Sequence, residues 1–90
     1  MEGNDDSWTT RAEDAAAESA VLMRVLDLHP SQVTVAELIR EIGGEQVGFA
    51  ERDALERAVR DLSGAGLLHR HEDFVLPTRA ALRFNELLNN

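Results

Sequence analysis

Catalysis or metal binding in this chain would have to come from three histidines and a set of carboxylates, because cysteine is absent. His69 and His71 stand two apart in a stretch read as a strand, so their side chains leave one face, and Asp73 continues the row. Nitrogen and oxygen donors in a row can begin a metal site. No fourth ligand is evident, however, and the plainer reading is the polar outer face of a hairpin. His29, just before Pro30, is placed to interact with the last carbonyls of a helix. No serine stands in an ordered relation to a histidine and an acid, and no glycine-rich loop comes after a strand. Glu72-Asp73 sits on a turn too open to push either carboxyl toward catalytic use. The sequence therefore reads as that of a non-enzyme with no metal or other cofactor.

Binding is what remains, and composition bounds the partners. Ninety residues, 43% of them apolar, suit one small globular domain whose modest core is often helped by association. No apolar run approaches the roughly 20 residues of a membrane-spanning helix. The opening MEGNDDSWTT lacks the basic start and apolar centre of a signal peptide, so a cytoplasmic protein with no membrane contact is expected. The net charge of −8 is unevenly spread. Residues 1–20 carry six acids against one arginine, whereas residues 21–90 carry eleven against eight, so the body is only mildly acidic.

Helical period organises most of the chain. Thr10-Arg11-Ala12-Glu13 has the form of a capping box and predicts a first helix running to about Leu28, where Pro30 ends it. Val21, Leu22, Val25, Leu26 and Leu28 form its core face. Residues 1–9 precede it as a disordered acidic tail, leaving 10–90 as the domain. Thr34–Glu37 repeats the box, and Val35, Leu38, Ile39 and Ile42 fall at i, i+3, i+4 and i+7 in a helix that ends at Gly43-Gly44. Leu55, Ala58, Val59 and Leu62 repeat that spacing in a third helix, which stops at Gly64 in a left-handed turn, and Gly66 loosens the chain beyond it. Leu67–Arg70 and Phe74–Leu76 read as strands around His71-Glu72-Asp73, and a short strand near Gln32-Val33 offers a third. Thr78 caps a last helix through Leu88, with Ala80, Ala81, Phe84, Leu87 and Leu88 on its core face and Leu82 off it. The predicted core is Leu22, Leu26, Leu38, Ile39, Ile42, Leu55, Val59, Leu62, Leu67, Val75 and Phe84.

The order helix, helix, helix, strand, strand, helix, with the RDLSGAGLL cadence before the hairpin and Pro77-Thr78 after it, resembles the winged helix-turn-helix regulators of the MarR and ArsR type. The resemblance spans about Ala15 to Leu88. It implies a mainly α fold with a small β-wing, in which the third helix enters the major groove of double-stranded DNA and the wing touches its backbone. Carried over by position, the DNA contacts are Arg52, Arg57 and Arg60 on the helix and Arg70 on the wing, whose guanidinium groups suit phosphate oxygens and guanine edges. One departure is the connection from Gly43 to about Phe49, longer than the three or four residues of a tight helix-turn-helix.

The same helix supports a second reading. Arg52, Glu56 and Arg60 are spaced i, i+4, i+8, and Asp53, Arg57 and Asp61 repeat that spacing with signs reversed. Such a lattice pairs with itself, at roughly 0.2–0.5 kcal/mol per pair. Glu51, Asp53, Glu72 and Asp73 would repel a phosphate. The alternative is thus an acidic winged-helix protein–protein interaction module without DNA binding, docking through Val47 and Phe49. Under either reading Ala16, Ala20 and Met23 make a second apolar strip on the first helix and Leu82 an apolar residue off the core face of the last, which together predict a homodimer. The acidic tail reads as a solubilising segment, the sharper alternative being that it folds back on the arginine face.

Overall fold

The computed structural model describes the backbone of residues 2–89 and the side chains of residues 11–89. The elements are α1 (Glu2–Leu28), β1 (Val33–Thr34), α2 (Val35–Gly43), α3 (Phe49–Gly64), β2 (Leu68–His71), β3 (Phe74–Pro77) and α4 (Arg79–Leu88). The fold is mainly helical, with a small antiparallel sheet in the order β1-β3-β2. The third strand suggested near Gln32-Val33 is β1, which pairs Val33 with Val75 and Thr34 with Phe74.

Local chemistry sets most of these boundaries. At α2 the Thr34 hydroxyl accepts the Glu37 N–H at 3.1 Å, while the Glu37 carboxylate accepts the Thr34 N–H at 2.9 Å. That capping box satisfies two free donors of the first turn. At α3 half of the motif is present: Glu51 accepts the Gly48 N–H at 3.4 Å, and glycine has no hydroxyl to return the bond. Two helix ends differ from the sequence expectation. Helix α1 begins at Glu2, so Thr10 and Glu13 lie inside it and do not cap it. No proline interrupts residues 2–9, and acidic residues favour a helix start. Met1 and the side chains before Arg11, on which the reading of an acidic tail bears, lie outside the described residues.

The end of α3 also differs. Gly64 closes the helix, and the left-handed residue is Gly66, at φ +86°. The Leu67 N–H reaches the Leu62 carbonyl at 3.0 Å and the Gly66 N–H reaches that of Ser63 at 3.1 Å. This is a Schellman closure, which puts the left-handed residue just before the apolar one that folds back on the core.

The core lies between α1, α2, α3 and the inner face of the sheet. Val21, Val25, Val33, Leu38, Ile39, Leu55, Ala58, Val59, Leu62, Leu68 and Val75 are buried together, with Leu22, Ile42, Val47 and Leu67 packed partly against them. Leu26 is half-buried and outside this cluster.

Phe84 is the clear correction to the predicted core. It is 61% exposed, along with Leu87 and Leu88, while Ala81 is 2% exposed and Leu82 is half-buried. Helix α4 is therefore rotated from the predicted phase: Ala81 stays on the docked face, but Leu82 replaces Phe84, Leu87 and Leu88 beside it. Thr78 fixes that phase: its hydroxyl donates to the Gly66 carbonyl at 2.8 Å while accepting the Ala81 N–H at 3.2 Å. The first turn is thereby tied to the end of α3, and the small Ala81 side chain lets the helix approach the body closely.

Candidate nucleic-acid interface

With Leu55, Ala58, Val59 and Leu62 turned inward, helical geometry puts Phe49, Asp53, Glu56 and Arg60 along the outward ridge of α3, with Arg57 on the flank facing α1. The β2–β3 hairpin adds Arg70 by strand alternation. Leu68 is buried on the inner face of β2, and Arg70, two residues on, shares that face but lies beyond the core edge. It pairs across the ladder with Val75. The Asp73 carbonyl accepts the Val35 N–H at 3.1 Å, which ties the hairpin turn to the start of α2. The result is one open groove between α3 and the β2–β3 hairpin, lined by Arg57, Arg60 and Arg70 with Asp53 and Glu56, over Val35 and Val59.

Arg52 takes the other side of α3. It lines a groove toward α2 together with Arg40 and Glu45, and a second beside Glu56 and Asp73. Nothing in the sequence points to Arg40, because it belongs to a different helix and spacing carries no information about which face of α2 meets α3. His69 and His71 alternate with Arg70 and so leave the opposite face of the hairpin. No group of three histidine or acidic side chains is arranged as metal ligands among the described residues.

The electrostatics differ from the lattice suggested by spacing. Among the described residues none of the i, i+4 pairs Arg52–Glu56, Glu56–Arg60, Asp53–Arg57 or Arg57–Asp61 closes to within 4.0 Å. Arg57 reaches across to α1, where its Nη2 donates to Asp14 Oδ1 at 3.2 Å. Arg60 lies 3.5 Å from its sequence neighbour Asp61 while staying 71% exposed. Arg52 and Arg70 have no carboxylate within 4.0 Å among the described residues. The reason is energetic: each exposed pair gains only a few tenths of a kcal/mol, so long arginine chains choose among several near-equal placements.

The residues read as a protein interface are dispersed. Phe49 is 89% exposed at the start of α3. Val47 is half-buried against the core, its Cγ2 seated where a Cβ on Gly43 would lie 2.7 Å away. On α1, Ala16 and Met23 are exposed and Ala20 is half-buried. On α4 the exposed apolar stripe is Phe84, Leu87 and Leu88, with Leu82 half-buried on the docked side. Among the described residues no helix is long and apolar enough to cross a membrane. Comparison with protein-family models, curated proteins and solved structures finds no match to the chain.

Proposed function

We propose that the chain is a winged-helix regulator that contacts double-stranded DNA, with α3 as the recognition helix and β2–β3 as the wing. The observation that carries this reading is the meeting of Arg57, Arg60 and Arg70, from two elements, in one groove open to solvent. Exposure supports it as well: Arg57 and Arg60 hold only solvent-exposed pairs, with Asp14 and Asp61, and Arg70 has no carboxylate within 4.0 Å among the described residues, so little free energy opposes their turning to a phosphate. Arg40 and Arg52 extend the cationic edge along the α2 side. Asp53 and Glu56 sit in the same groove and oppose the approach of DNA, so the proposed contact is weak and strongly salt-dependent. The experiment is titration of random-sequence duplex DNA at low salt, followed by fluorescence anisotropy. Absence of binding there would remove this reading.

A second reading is a protein-interaction module, favoured by Phe49. An aromatic side chain this exposed, on the ridge that carries Arg60, is the kind of anchor that protein partners bury. In that reading Phe49→Ala abolishes partner binding while leaving the thermal midpoint nearly unchanged. Under both readings we propose a homodimer through α1 and α4. The support is apolar area: Met23 is 62%, Phe84 61%, Leu87 56% and Leu88 67% exposed, and stripes of this kind on helices are usually covered.

A further inference from the structure

We propose that Asp14 on α1 is a built-in competitor for phosphate at Arg57, so that the first helix sets the affinity of the arginine groove. The inference rests on the DNA reading above. The Arg57–Asp14 contact joins residues 43 apart in sequence, at 3.2 Å. Among the described residues it is the one ion pair that ties an arginine of this groove to another element. Arg60 contacts only its neighbour in α3, and Arg70 has no carboxylate within 4.0 Å among the described residues. A phosphate that takes Arg57 must therefore either displace a carboxylate or approach beside one. The carboxylate occupies one Nη2 donor of the five, so a phosphate arriving on that edge competes for the donor and one arriving elsewhere still meets the negative charge of Asp14.

The magnitude is set by exposure. The two side chains are 44% and 41% exposed, so the pair is a weak gate. Exposed pairs of this kind correspond to a factor of about 1.5 to 5 in an equilibrium constant. Glu13, adjacent in sequence, supplies the control. It projects from another side of α1 and lines the apolar groove beside Ala50 and Ala54 instead of the arginine groove. Glu13→Gln removes the same charge without freeing Arg57.

The test measures affinity for a random-sequence duplex at low salt for the full chain and for Asp14→Asn, Glu13→Gln, Arg57→Ala, Arg60→Ala and the double variant Asp14→Asn/Arg57→Ala. Circular dichroism checks that each folds. Asp14→Asn should tighten binding by about 1.5- to 5-fold, more than Glu13→Gln does, and the gain should vanish in the Arg57→Ala background. Equal effects of Asp14→Asn and Glu13→Gln, or a gain that persists without Arg57, would reduce Asp14 to a bulk charge and overturn the proposal. If the unmodified chain binds, Arg60→Ala weakens it and Asp14→Asn changes nothing, the gate fails while the DNA reading stands. If no variant binds duplex, both fall.

Discussion

The salt dependence of the proposed DNA contact can be worked from the groove itself. Three arginines, Arg57, Arg60 and Arg70, line it. If each neutralises one phosphate, a single domain has a slope of log affinity against log salt of about −2.7, and a dimer using two grooves about −5.4. Raising salt from about 50 to 200 mM then weakens a single domain by roughly 40-fold and a dimer by more than 1,000-fold. Arg70→Ala is the cleanest perturbation, since that side chain is exposed on β2 and has no ion pair among the described residues. Its loss should make the slope shallower by about 0.9 per groove without moving the thermal midpoint. Anisotropy titrations of a labelled random duplex at four or five salt concentrations provide the measurement. A slope near zero, or one that Arg70→Ala leaves unaltered, would refute the assignment of this groove to the phosphate backbone.

Other parts of the fold give three more expected outcomes. Gly43→Ala should destabilise by about 1–3 kcal/mol in chemical denaturation, because the added Cβ would lie 2.7 Å from a Val47 methyl on a stiff, branched side chain; pairing it with Val47→Ala should recover most of the loss. Glu37, held by the Thr34 backbone N–H and hydroxyl, has its pKa lowered from 4.5. Its contribution to stability is thus complete above about pH 4.5 and is lost as pH falls through the lower folded value. The thermal midpoint should exceed that of Glu37→Gln at pH 7, and the gap should close as pH falls below the lowered folded value of the carboxyl; a difference that persists once Glu37 is protonated would contradict the account. For the proposed homodimer, Phe84→Glu should convert dimer to monomer in sedimentation at micromolar concentration while leaving circular dichroism unchanged, since the ring is 61% exposed in the single chain. A wild-type chain that sediments as a monomer would discard that interface.

What the sequence determined by itself is the part of the structure governed by neighbours within about four residues. The Thr34–Glu37 cap, the inward stripe of Leu55, Ala58, Val59 and Leu62, and the β2–β3 hairpin all arise from hydrogen bonds and periods that local residue types dictate. Tertiary structure decided what each stripe faces. Helix α4 has apolar residues on two sides, and the phase was chosen by Thr78 bonding to the end of α3, which buried Ala81 and left Phe84 outside. Gly66 and not Gly64 became left-handed because Leu67 had to return to the core after Leu62. The fate of the arginines was the least legible. Charges at i, i+4 suggested a self-paired helix, yet Arg57 found Asp14, 43 residues away, on a helix that packs beside it. Exposed ion pairs differ by too little free energy for spacing to decide among them, and only the packing of α1 on α3 brought that carboxylate within reach.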